Sequence, residues 1–187
     1  MLTEKARGLV RAFGYLYPEE AEFLQRLSLD VMQGGVVVNI GAGAGTSALC
    51  VLEKRPDLTK TFYSVDINNH DTPLGGLLNE RNAFDNAKMP YPQQVHGDSH
   101  EVAKTWSDGD IDFLIIDGDH SREGVRGDIT LWEQHLAEGA MVLLHDYHSG
   151  NWAEVYTAVQ ELMSEHPEKY THLETVKTYI AFVYTKK

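Results

Sequence analysis

The apolar positions of this chain change period along its length. Over residues 1–33 they recur at three- and four-residue steps: Leu9, Val10, Phe13 and Leu16, then Phe23, Leu24, Leu27 and Val31. That spacing predicts amphipathic helix. Pro18-Glu19-Glu20 divides it into two helices, since proline suits a helix start. From Gly34-Gly35 onward the pattern becomes one of short runs: Val36-Val37-Val38, Lys60–Asp66, Gln93–His96, Ile111–Ile116 and Ala140–Leu144. These read as strands, and the β-branched first run reads as a strand covered on both faces. Helical patterns lie between them. One follows the glycines at 41–45; the others are Leu74–Lys88, Ser99–Trp106, Arg122–Leu136 and Trp152–His166. His172–Val176 and Ile180–Tyr184 are close enough to pair as a hairpin about Lys177-Thr178. The expectation is an α/β fold in a single domain, 1–187. A helical segment, 1–33, covers a sheet edge or forms a homodimer contact, and a parallel core, 34–187, closes on an antiparallel pair.

Composition narrows the partners. At 187 residues the chain can bury a substantial core unaided. Its formal net charge of −12 repels phosphate backbones and anionic lipid, so neither nucleic acid nor membrane is an expected partner. Cys50 is the lone cysteine, which excludes an intrachain disulfide and fits a reducing, cytoplasmic setting. It reads as a small buried apolar residue. The N-terminus carries no continuous apolar segment of the kind a signal peptide needs. No run approaches the roughly 18 apolar residues of a membrane span.

Candidate chemistry collects where the predicted strands end. Asn39-Ile40-Gly41-Ala42-Gly43-Ala44-Gly45-Thr46 joins the first strand to a helix. Glycines there allow a tight turn and close approach of a ligand to the backbone, and the helix start offers free N–H groups. The spacing misses the dinucleotide fingerprint, whose third small residue would fall at Thr46. Asp66, followed by Ile67, ends the second strand. Its carboxylate suits paired ribose hydroxyls, or it caps the following turn. Gly97-Asp98-Ser99 ends the third strand; a carboxylate or hydroxyl there can accept from the exocyclic amine of an adenine, or cap the next helix. Asp117-Gly118-Asp119-His120 and His145-Asp146 end two very apolar strands that should be neighbours. Carboxylates so close need a proton or a cation between them. A hard divalent cation meets that need, although the same acids could simply cap loops. His120 is placed to act as a general base. His148 and Trp152 could line the substrate side, though tryptophans, Trp106 and Trp132 included, are more often core.

Together these residues resemble a known family. The order of elements, the Asn39-x-Gly41-x-Gly43-x-Gly45 loop, Asp66 and Gly97-Asp98 look like a class I S-adenosylmethionine-dependent methyltransferase. The Asp117-Gly118-Asp119-His120-Ser121-x-Glu123-Gly124-Val125 run, with Leu144-His145-Asp146-Tyr147, resembles the small-molecule O-methyltransferases of the macrocin and catechol types. The resemblance covers essentially the whole chain. It implies a Rossmann-like sheet of strand order 3-2-1-4-5-7-6 and S-adenosyl-L-methionine as cofactor. Asn39, Gly41, Gly43 and Gly45 would cradle the methionine moiety, Asp66 and Ile67 the ribose side, and Gly97, Asp98 and Ser99 the adenine. Asp117, His145 and Asp146 would hold magnesium, with Asp117 also at the cofactor and His120 as base, on a small-molecule hydroxyl acceptor. The loop departs from the family in starting with Asn39 rather than an acid, and His145 stands where an acid or a small residue is common. Two other functions would suit such a sheet, a nicotinamide-dependent oxidoreductase and a non-catalytic donor-binding protein.

Overall fold

The computed structural model describes residues 7–8, 15–67 and 76–187. The first predicted helix falls mostly outside them. The elements are α1 (Pro18–Ser28), β1 (Val36–Ile40), α2 (Thr46–Lys54), β2 (Phe62–Asp66), α3 (Leu77–Ala87), β3 (Gln93–His96), α4 (Ser99–Thr105), β4 (Ile111–Ile116), α5 (Arg122–Trp132), β5 (Leu136–Leu144), α6 (Ala153–Glu165), β6 (Tyr170–Val176) and β7 (Tyr179–Tyr184). The strands form one sheet of order β3-β2-β1-β4-β5-β7-β6, the order expected. β1 to β5 are parallel, and β7 runs antiparallel to both β5 and β6.

Alternation along the central strands divides the core into two layers. Val37, Phe113, Ile115 and Leu143 pack with α1, α2 and α3; Val38, Leu114, Ile116 and Leu144 pack with α4, α5 and α6. Cys50 is buried in the first layer and its thiol is pushed up to about 12 by burial and then by Glu53, so it is an inert apolar residue as expected. Trp132 is fully buried in the second.

One stretch departs from the sequence pattern. The helix expected to reach Leu136 stops at Trp132, a 3-10 turn covers Glu133–His135, and β5 already begins at Leu136. Leu136 pairs with Ile111, and the register then jumps so that Phe113 faces Met141. The extra residues of β5, Gly139 among them with φ +79°, bulge out of the ladder. A cross-strand partner, invisible to local periodicity, takes Leu136 from the helix.

The parallel ladder continues one residue past the strand ends. Gly41 N–H donates to the Val65 carbonyl, Gly97 to Asp66, Asp117 to Ile40 and His145 to Ile116, at 2.9, 3.0, 2.9 and 3.0 Å. The loops therefore leave the sheet at one level. Gly41 turns there with φ +84°, and a Cβ on it would lie 2.0 Å from the Asp117 carbonyl oxygen, so only glycine fits.

A buried acid supports this edge from below. Glu80 of α3 is fully buried. It accepts from Ser64 Oγ at 2.6 Å and from Gln94 Nε2 at 2.8 Å. Its backbone and side-chain carbons would meet a Cβ at Gly45 at 2.9 Å, so it is the floor of the glycine loop. Burial pushes its carboxyl up to about 7, against the pull of the Ser64 and Gln94 hydrogen bonds.

Two outcomes follow from these contacts. Gly41→Ala should cost about 3 kcal/mol, from the left-handed backbone and the clash together, and lower Tm by roughly 6–12 °C in calorimetry. Glu80 holds its proton more tightly folded than unfolded, so its contribution to stability is full below about pH 4.5 and is lost as pH rises through about 7. Glu80→Gln should flatten that portion of the stability profile in denaturant titrations; an unchanged slope between those pH values would contradict the account.

Candidate active site at the carboxyl edge of the sheet

A cleft of about 770 Å³ opens over the carboxyl ends of the strands. That is near the upper end for a small-molecule site, which spans about 300–1,000 Å³. Among the residues singled out from sequence, Gly41, Gly43, Asp66, Ile67, Gly97, Asp98, Ser99, Asp117, His120, His145 and Asp146 all line it. Asn39 and Gly45 are not part of its wall.

The two exceptions act on the loop's shape. Asn39 is fully buried in β1 between Ser64 of β2 and Ile115 of β4. Its Nδ2 donates to the Gly41 carbonyl at 3.2 Å, while its Oδ1 is buried with no hydrogen-bond partner. The side chain fastens the turn from behind, away from the cleft wall. An acid there would set a carboxylate oxygen against the Gly41 carbonyl. Gly45, with φ +79°, is the N-cap of α2.

The acids of the first half of the edge are committed to backbone. Asp66 Oδ2 accepts from Ala42 N–H at 2.9 Å and from Gly43 N–H at 3.4 Å, so it clamps the glycine loop across to β2. Asp98 caps α4, with Oδ1 accepting from His100 and Glu101 N–H at 2.9 and 3.2 Å. Asp98 does the capping that the sequence allowed, Asp66 instead holds the loop after β1, and both still line the cleft.

The second half gathers charge. His120 Nε2 lies 3.0 Å from Asp146 Oδ2 and 3.5 Å from Asp117 Oδ1. His145 Nδ1 lies 3.0 Å from Asp117 Oδ1, and its Nε2 faces Glu20 Oε2 at 3.7 Å. Burial pushes the Asp117 carboxyl up, but the His145 and His120 rings outweigh it and hold the group at about 2. Burial likewise favours the neutral rings, yet Asp117 and Asp146 raise His120 to about 9, and Asp117 with Glu20 and Asp146 raises His145 to about 10. Asp146 sits at φ +58°, a left-handed conformation that aspartate tolerates better than most residues.

Among the described residues, the group whose ligand atoms come within 4.8 Å of one another is Asp117, His120 and Asp146. Two carboxylates and an imidazole on a cleft wall fit a divalent cation. His145 is not a member of this group, although its Nδ1 lies 3.7 Å from Asp146 Oδ2 as well as 3.0 Å from Asp117 Oδ1. His120 and His145 thus flank the same two carboxylates.

Other assignments shift as well. Trp152 is 46 % exposed and its ring stacks on His120, centroids 4.6 Å apart, so it is a wall of the cleft and not core. His148 packs on Tyr147 and Tyr156 and is not part of the cleft wall. Sequence reasoning missed Glu20. It is fully buried at the first turn of α1, accepts from Thr178 N–H and Oγ1 at 2.9 and 2.6 Å, and faces His145. Its only sequence signal is an acid in a first helical turn, which many helices carry.

Known proteins are consistent with this geometry. A family described as a methyltransferase domain matches residues 38–147, more than half of the chain. A mimivirus protein, R132 of Acanthamoeba polyphaga mimivirus, is 26% identical over 136 residues, 72% of this chain and 53% of that protein. The chain therefore spans about half the length of this curated relative. The O-methyltransferase from Bacillus cereus, solved in complex with SAH, superposes with a TM-score of 0.69 at 16% identity, covering 98% of this chain and 92% of that one. TomG of Streptomyces achromogenes, an O-methyltransferase involved in tomaymycin synthesis solved with SAM, gives 0.73 at 13% identity over 100% and 92%. The SAH-bound methyltransferase PaMTH1 of Podospora anserina gives 0.74 at 13% identity over 100% and 89%. At these identities the structures speak for the shared fold, and the family match speaks for kinship. The chain belongs to the methyltransferase-domain family, on a Rossmann-like sheet with an antiparallel C-terminal hairpin.

Proposed function

We propose that the protein transfers a methyl group from S-adenosyl-L-methionine to a hydroxyl of a small molecule. One observation supports this above the others: the glycine loop, clamped by Asp66, and the Asp117–His120–Asp146 cluster open into the same cleft. The loop side suits the donor. Gly43 has nothing within 4 Å of the place a Cβ would occupy, so a ligand can lie against the backbone there. Related structures were solved with SAH or SAM bound, and the same donor is our reading for this chain.

The chemistry is an in-line displacement. The acceptor oxygen forms a bond to the methyl carbon as the carbon–sulfur bond breaks, and that electron pair stays on sulfur as the thioether of S-adenosylhomocysteine. The cleft supplies alignment, for which effective molarities of about 10⁵ M or more are attainable. Asp117 and Asp146 would hold a divalent cation, which would supply a Lewis acid for the acceptor oxygen. His145 holds Asp117 in place from its other side. His120 takes the hydroxyl proton once its ring is neutral, and Trp152 stacked on it fixes the plane of that ring.

Magnesium is the cation expected from the resemblance; an imidazole beside the carboxylates also suits manganese or zinc. The acceptor is a small molecule and not nucleic acid, in keeping with the −12 charge. No helix of the described residues is long and apolar enough to cross a membrane. We take residues 1–187 to form one methyltransferase domain that works in the cytoplasm.

Calorimetry against S-adenosylhomocysteine and NADH tests the donor; binding of NADH alone would end this reading. Turnover on a panel of hydroxyl acceptors should rise towards about pH 9, where His120 loses its ring proton, and there should fall about 10²-fold or more in His120→Ala, with donor affinity unchanged. Asp117→Ala and added chelator should each abolish turnover. If both leave it intact, the metal role is wrong while the methyl transfer stands.

A further inference from the structure

Behind the third strand end lies a buried acid that none of the chemistry above uses. Asp128 of α5 is 1% exposed. Its Oδ1 accepts the Ser99 hydroxyl proton at 2.5 Å, and His100 Nε2 stands 3.4 Å from the same oxygen. Its Oδ2 is buried with no hydrogen-bond partner and points towards Gly118, 3.6 Å from the position of a Cβ there. Ser99 and Gly118 both line the cleft, on its β3 and β4 walls. Asp128 thus reaches the back of two facing walls.

The consequence lies in the polarity of one hydroxyl. A serine Oγ carries one proton and two lone pairs, and its rotor normally turns to suit either kind of partner. Ser99 has committed its proton to a carboxylate, in a short bond of the stronger, charge-assisted kind. Towards the cleft its oxygen can only accept. We propose that Asp128 is a positioning residue for donor selectivity: by taking the Ser99 proton it makes the β3 wall an acceptor, which admits a purine bearing a 6-amino group and disfavours one bearing a 6-oxo group. This rests on the reading above that the donor's adenine lies at the end of β3. A site built for one polarity leaves a buried group unpaired when the wrong partner enters, and that is where discrimination comes from.

The test compares two ligands that differ only there, S-adenosylhomocysteine and its deaminated analogue S-inosylhomocysteine, by calorimetry. The wild-type protein should favour the amino ligand by about tenfold or more, since each tenfold needs only about 1.4 kcal/mol. In Asp128→Ala the Ser99 hydroxyl regains its rotor and can donate, so the preference should fall towards parity. Ser99→Ala should lose the preference to a similar extent, and the double variant should lose no more than either, because the residues act as one unit. A purely structural role would weaken both ligands equally and leave their ratio intact; that result, with Tm unchanged, overturns the proposal. If Asp128→Ala does not fold, Ser99→Ala carries the test alone, and a retained preference there is equally fatal. Failure of the wild-type protein to bind S-adenosylhomocysteine would instead sink the methyl-donor reading, and this inference with it.

Discussion

Backbone hydrogen bonds that run one residue past the strands hold this protein's chemistry together. Gly41, Gly97, Asp117 and His145 each donate to the neighbouring strand beyond its end, so the loops they begin start from a common edge. A parallel sheet with helices on both faces leaves that edge open to ligand, because the crossover connections return along its faces. Everything placed there inherits the rigidity of the ladder. The contact between Gly41 and the Asp117 carbonyl shows how closely: the turn after β1 and the turn after β4 have no room for a methyl group between them.

On that edge the two halves solve different problems. The β2–β3 half is built from acids that hold backbone, with Asp66 on the glycine loop and Asp98 on the start of α4. Asp98 is placed by capping and Asp66 by clamping the glycine loop, and both line the cleft. The other half is a chain of alternating charges, Glu20, His145, Asp117, His120 and Asp146, with each imidazole between two acids. Burial opposes ionisation of Glu20, His145, Asp117 and His120; pairing along the chain, with Thr178 and the Tyr17 N–H also holding Glu20, keeps them charged. Removing one member would strand its neighbours, so the chain acts as a unit.

Three helix-borne acids, Glu20, Glu80 and Asp128, are fully or almost fully buried behind this edge. Each sits on a helix and reaches towards a loop or strand end, from α1, α3 and α5 respectively. A buried carboxylate is costly unless hydrogen-bonded, and each of these accepts at least one hydroxyl proton, from Thr178, Ser64 and Ser99. They are the struts between the helical layers and the active edge.

Much was legible in the sequence. Apolar periodicity located the described strands and helices, and the terminal hairpin, because burial of one face imposes its period on the residues themselves. The glycine loop and the acids ending β2, β3, β4 and β5 were legible too, because strand ends in such a sheet are topologically equivalent. Partnership was not. That Leu136 belongs to β5, that Asn39 fastens the loop from behind, that His145 turns to Asp117 and Glu20, and that Trp152 covers His120 all depend on residues far away in sequence. Local pattern records which face of an element is buried. Only the tertiary structure decides which side chain from another element meets it there, and so whether an acid serves as a cap, a strut or a ligand.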